Sequence, residues 1–140
     1  FQSPIEREIL GLLLSGCSSV VLCPARGLES LQPRAQWRRA LVSGRMLLLS
    51  PFPATVRRPT LQLSDRRNRI AAALAERILL IHATPGGRLS RMMNDLSSRG
   101  ATLYCPDHPS NSDLRLLGAL PFPLRFEEWR HRSMETIGTR

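Results

Sequence analysis

The chain has 140 residues, 42% of them hydrophobic and 5% aromatic, with 20 basic side chains against 11 acidic ones, which is the make-up of one folded domain and excludes a disordered tail. Its longest apolar stretches, residues 9–14 and 46–49, fall far short of the roughly 18 or more residues that a membrane-spanning helix needs. Glu6 and Glu8 stand where a secretory leader would be basic, so a cytoplasmic protein with no membrane partner is expected. The first residue is Phe1 rather than Met, which points to a processed chain or to a piece of a longer one.

Ser3-Pro-Ile-Glu6 is a capping-box pattern with proline at the first helical position; Ile5, Ile9, Leu10, Leu12 and Leu13 follow, with Gly16 as a stop. A helix is expected there. Residues 19–23 form a short apolar run of buried-strand type, closed by Pro24. Residues 33–42 read as a second helix, with Trp37, Ala40 and Leu41 on one side and Arg34, Arg38 and Arg39 on the other, ending at Gly44. A second strand covers 46–50. Pro51, Pro53 and Pro59 make 51–64 a long surface loop carrying Arg57 and Arg58. Ser64 is placed to cap a third helix over 65–77, whose first turn would bear Arg66, Arg67, Asn68 and Arg69. Cations there oppose the helix dipole, so such a start favours a bound anion.

Residues 78–83 read as a third strand, followed by Thr84-Pro-Gly-Gly87 and a fourth helix over 88–99; 102–105 is a fourth strand, and Ser110 or Ser112 caps a short helix to Leu117. From Pro121 onward, Phe122, Phe126 and Trp129 punctuate a polar extension, read as a docking strap or a frayed tail. Two segments are expected in all: a domain over 1–120 and the extension over 121–140. Alternation of helices with short apolar strands predicts an α/β fold of Rossmann-like type, a mostly parallel sheet of about four strands with helices on both faces. Ligands of such sheets bind outside the carboxyl ends of the strands. Residues 24–27, 50–59, 83–87 and 106–109 belong to that rim, and Arg26, Arg57, Arg58, the arginines of the third helix and Gly86-Gly87 are expected to converge there.

The charge is unevenly spread. All 20 basic residues are arginine, and nine of them lie between Arg34 and Arg69 with one acid, Asp65, so that this segment carries +8 of the formal +9. Guanidinium groups grip phosphate with paired hydrogen bonds, and a concentrated positive field draws polyanions. Nucleic acid or a nucleotide is therefore the expected partner. Gly86 and Gly87 would let backbone N–H groups approach a phosphate at the start of the fourth helix. Neither a P-loop nor a G-x-G-x-x-G fingerprint is present, and no cofactor is implied. None of Glu29, Asp65 and Asp107, the acids nearest the rim, is paired with another carboxylate in sequence, His82 reads as a core histidine at a strand end, and nothing local supplies a base for Ser50 or Cys23. Cys105-Pro-Asp-His108 lacks the second ligand pair a zinc site needs, and Cys23 reads as a buried small hydrophobe.

Arg66-Arg-Asn-Arg-Ile70 before an alanine-rich helix, the strand over 78–83, the glycine turn, Leu103-Tyr-Cys-Pro106, Ser50-Pro-Phe-Pro53, Asn111 and Gly118-Ala119 together resemble the carboxyl half of the DprA/Smf family over about residues 17–119. That resemblance implies a Rossmann-like domain of the SLOG superfamily, cut short at its N-terminus because the family's Gly-Ser-Arg phosphate loop would precede Phe1. It also implies a single-stranded-DNA-binding module of DNA processing and recombination. Pro85-Gly86-Gly87 is similar to the P-G-G-x-G-T-x-x-E motif of LOG-type phosphoribohydrolases, but Leu89, Ser90 and Met93 take the places of its glycine, threonine and glutamate, which removes the proton-handling carboxylate and weighs against an enzyme. The expected phosphate-binding residues are Arg66, Arg67, Asn68, Arg69, Arg57, Arg58, Gly86, Gly87, Ser90 and Arg26. Two further readings stand beside this one: a nucleotide sensor or nucleoside-monophosphate hydrolase using the same rim, and a structural fragment whose sheet is completed by a partner chain or a second copy.

Overall fold

The computed structural model describes residues 4–122, with side chains from residue 6. Ser3 of the expected capping box, the side chain of Ile5, and Phe126 and Trp129 of the extension lie outside the described residues. The protein is α/β, with five α-helices and two small parallel sheets among the described residues. It divides into two compact units, Phe1–Ala71 and Ala72–Arg140.

The first unit opens with α1 (Pro4–Ser15), followed by β1 (Val20–Leu22), α2 (Ala35–Val42) and β2 (Met46–Leu48). β1 and β2 pair in parallel, Val20 opposite Met46, Val21 opposite Leu47 and Leu22 opposite Leu48. Because strand side chains alternate between faces, Val20, Leu22 and Met46 point into a core shared with Leu10 and Leu14 of α1 and Ala40 of α2. Val21 and Leu47 are side by side on the other face and are each 57% exposed. Helices α1 and α2 cover the face that carries Val20, Leu22 and Met46.

α3 (Leu61–Leu74) begins four residues earlier than Ser64-Asp65 suggests. Thr60 starts it: its hydroxyl accepts from the Leu63 N–H at 3.2 Å, and its carbonyl accepts from the Ser64 N–H at 2.9 Å. Ser64 therefore lies inside the helix. The four residues Arg66, Arg67, Asn68 and Arg69 fall in its second and third turns, beyond the reach of the N-terminal dipole. The helix dipole therefore favours no anion at these four residues, contrary to the expectation from a start at Ser64.

The second unit holds β3 (Arg77–Leu79), α4 (Arg88–Ser98), β4 (Thr102–Pro106), a 3-10 turn (Pro109–Asn111), α5 (Ser112–Leu116) and β5 (Leu120–Phe122). The order in its sheet is β3-β4-β5, all parallel. β5 occupies the start of the segment read as a strap or tail; Phe122 is 2% exposed and meets Tyr104 edge to face at 6.4 Å. The core gathers Leu80, Met93, Leu103, Cys105 and Leu114. Asn111, 3% exposed, donates through Nδ2 to the carbonyls of Ile81 and Pro106 at 3.2 and 3.1 Å. This amide ties the chain leaving β3 to the end of β4, where the Pro106 carbonyl also accepts from the His108 N–H at 2.9 Å.

Candidate nucleic-acid interface

In the first unit the loop leaving β1 meets the loop leaving β2. The Gly27 N–H donates to the Val56 carbonyl at 2.8 Å, and a Cβ at position 27 would stand 2.4 Å from the Pro53 carbonyl oxygen, so only glycine admits this approach. The Ser50 hydroxyl donates to the Arg26 carbonyl at 2.7 Å and accepts from the Phe52 N–H at 3.2 Å. Ser50 is thereby a staple between loops.

The arginines of the basic segment divide by what their side chains touch. Arg45 donates to the carbonyls of Leu14, at 2.9 Å, and Gly16, closing the C-terminal end of α1 where a cation is favoured. Arg67 reaches back from α3 to the Cys23 carbonyl at 2.9 Å. Arg26 is held by the carbonyl and hydroxyl of Ser30 at 2.7 and 2.9 Å. Arg38 turns onto the Pro33 carbonyl at 3.0 Å. Arg57, Arg58, Arg66 and Arg69 are exposed, while Asn68 is half-buried. The Arg66 guanidinium sits 5.8 Å from the centroid of the buried Phe52 ring, a cation–π contact that holds the head in place without neutralising it. Among the described residues no carboxylate forms an ion pair with Arg57, Arg58 or Arg66.

A cavity of about 260 Å³ opens at the carboxyl end of β1, where ligands of parallel sheets bind. Arg26, Arg67, Ser64 and Trp37 line it, with Glu6 and the apolar Leu22, Pro24 and Leu31. Trp37, Ser64 and Glu6 are absent from the sequence-derived site. No local motif marks them, because α1, α2 and α3 each contribute one.

The remaining expected residues lie in the second unit. Thr84-Pro-Gly-Gly87 forms a tight turn: the Gly87 N–H donates to the Thr84 carbonyl at 2.9 Å and Gly86 has φ +65°. Proline followed by a glycine of positive φ is what such a turn requires, and a Cβ on Gly87 would stand 2.8 Å from the Thr84 oxygen. The turn accounts for both glycines and occupies the Gly87 N–H that the expected phosphate cradle would have used. Ser90 is 8% exposed and lines a depression of about 530 Å³ along α4 with Arg91, Asn94 and Asp95. Met93 is fully buried in the core.

His82 is exposed beyond the end of β3 rather than in the core. Cys105 is fully buried, and His108 Nδ1 accepts from the Ser110 N–H at 3.2 Å. Asp107 pairs with Arg115 at 2.6 Å. Cys23 is only half-buried; burial pushes its thiol pKa up, and the Arg67 guanidinium opposes that rise. Among the described residues no group of three potential metal ligands occurs, and no helix is long and apolar enough to cross a membrane. Comparison of the chain with known protein families, with curated proteins and with solved structures finds no match.

Proposed function

We propose that this chain is a nucleic-acid-binding module that holds a single strand through its phosphates, as the likeness to the DprA/Smf family implies. The observation that carries the reading is the set of guanidinium groups Arg57, Arg58 and Arg66, all in the first unit, exposed and without an ion-paired carboxylate among the described residues. Their unit carries eleven arginines against four acids, a formal +7, and the second unit carries nine against seven, a formal +2. Arg69 extends the same helix, while Arg45 and Arg38 are committed to backbone carbonyls and fall outside the interface. Gly86, Gly87 and Ser90 belong to the second unit and add nothing to this argument.

Phosphate contacts of this kind carry no sequence information, so binding is sequence-tolerant and governed by counterion release. Each phosphate contacted on a single strand contributes about −0.7 to the slope of log affinity against log salt concentration. Replacing Arg57, Arg58 and Arg66 together by alanine is expected to make that slope shallower by about 2. Fluorescence anisotropy with labelled oligothymidylate over a salt series measures it. A slope unchanged by the triple substitution, or one near zero in the wild-type protein, removes the reading.

A further inference from the structure

The cavity beside β1 is lined by two arginines and by a single carboxylate, Glu6, which pairs with neither of them, so that its wall keeps a net positive charge. The Nε atoms of Arg26 and Arg67 are both buried and lack a hydrogen-bond partner. One terminal nitrogen of each is anchored, Arg26 Nη2 on Ser30 and Arg67 Nη1 on the Cys23 carbonyl. Among the described residues neither guanidinium forms an ion pair with a carboxylate. Two partly desolvated cations bordering one cavity are costly unless a charge of opposite sign enters it. Anchoring one nitrogen of each fixes the groups in advance, which lowers the cost of ordering them around a ligand.

We infer that this cavity is a site for one nucleotide bearing a phosphomonoester, taken between Arg26 and Arg67 with its base against Trp37. The inference rests on the strand-binding reading above for the class of ligand. Three features support it. About 260 Å³ lies just below the roughly 300–1,000 Å³ that drug-sized ligands occupy, which suits a single nucleotide. Two guanidinium groups match a phosphomonoester, whose charge near neutral pH is about −1.5 to −2, better than the single charge of an internal phosphodiester. Trp37 and the apolar Leu22, Leu31 and Pro24 offer the kind of surface on which a base stacks. Ser64, on the same wall, can donate its hydroxyl to the phosphate. The phosphomonoester can come from the 5′ end of a strand or from a free mononucleotide, and the two are separable.

The test measures binding of the intact protein to oligothymidylate labelled at its 3′ end, with either a 5′-phosphate or a 5′-hydroxyl. The phosphorylated strand is expected to bind about tenfold tighter at about pH 7.5, and the preference to shrink at about pH 5, as the monoester, whose second pKa is about 6, loses the second of its two charges; Arg26, Arg67 and Glu6 are the charged groups that line the cavity. Arg67→Gln and Arg26→Gln are each expected to bring the ratio of the two affinities to near one. Thymidine monophosphate, with thymidine and inorganic phosphate as controls, identifies the source. A preference for the phosphorylated strand assigns the site to the strand end; binding of the monophosphate without such a preference assigns it to a free mononucleotide. Equal affinity for both strands together with no binding of thymidine monophosphate overturns the inference, as does a preference that survives both arginine substitutions. Should the substituted proteins fail to fold, the pH dependence of the wild-type preference decides alone. Tight binding of thymidine monophosphate with no binding of either strand would leave this site standing while removing the strand-binding reading.

Discussion

At the scale of single residues, an arginine's position in the fold determines whether it serves structure or ligand. Arg45 illustrates the first case. Its guanidinium closes the end of α1 by donating to the Leu14 and Gly16 carbonyls, which otherwise face a helix terminus without donors. Arg45→Ala is expected to lower stability by about 1–2 kcal/mol, through loss of hydrogen bonds from a charged donor, read as a lower midpoint in urea denaturation. Arg57→Ala, by contrast, is expected to leave that midpoint within about 0.5 kcal/mol of wild type, as for an exposed substitution away from any buried network. Composition singles out neither residue, since both are arginines inside the same basic segment; the difference lies in whether a carbonyl distant in sequence is within reach.

At the scale of elements, α3 separates two explanations of the same sequence. Ser64-Asp65 before an Arg-rich run reads as a helix start, yet Thr60 provides the side-chain cap and Ser64 already donates its backbone N–H inside the helix. Thr60→Ala is expected to cost about 1 kcal/mol of stability, as loss of a helix cap does, and Ser64→Ala to cost almost nothing. Paired thermal melts of the two variants check this. A larger loss at Ser64 would restore the later start and with it the dipole argument for an anion. The strands were legible because short β-branched and apolar runs bounded by proline and glycine have few alternatives. β5 was missed because Leu120-Pro-Phe122 carries a proline, which normally demotes a segment to an edge or a loop; the strand lies at the edge of its sheet, where that proline is tolerated.

For the molecule as a whole, ionisation of two thiols links stability to pH. Burial raises the pKa of both Cys23 and Cys105 above the ordinary 9.0; Arg67 opposes the rise at the first, while at the second Arg115 opposes it and Asp107 adds to it. A thiol that holds its proton more tightly when folded contributes stability that is complete below the unfolded pKa and is lost as pH climbs past it. The protein is therefore expected to lose stability as pH rises above about 9, the loss being smaller in a Cys23→Ser, Cys105→Ala double variant, as denaturant titrations across that range would show. Thiol alkylation should follow exposure in the same molecule: Cys17 first, Cys23 more slowly, and the fully buried Cys105 only on unfolding.

Local patterns in the amino-acid sequence were enough to determine the α/β class, the helices and strands near their observed places, and a charge concentrated before residue 70. Each of these depends on neighbours within a turn or a strand, and periodicity records such neighbours directly. The tertiary structure alone decided that the sheet divides into β1-β2 and β3-β4-β5, that Gly86 and Gly87 serve a turn, and that Arg26 and Arg67 border a cavity with Trp37 and Ser64. These outcomes turn on long-range pairings, of which the bond from Arg67 to the Cys23 carbonyl, 44 residues away, is representative. A guanidinium takes whichever acceptor the fold brings within about 3 Å, and no periodicity in the chain encodes which carbonyl that is.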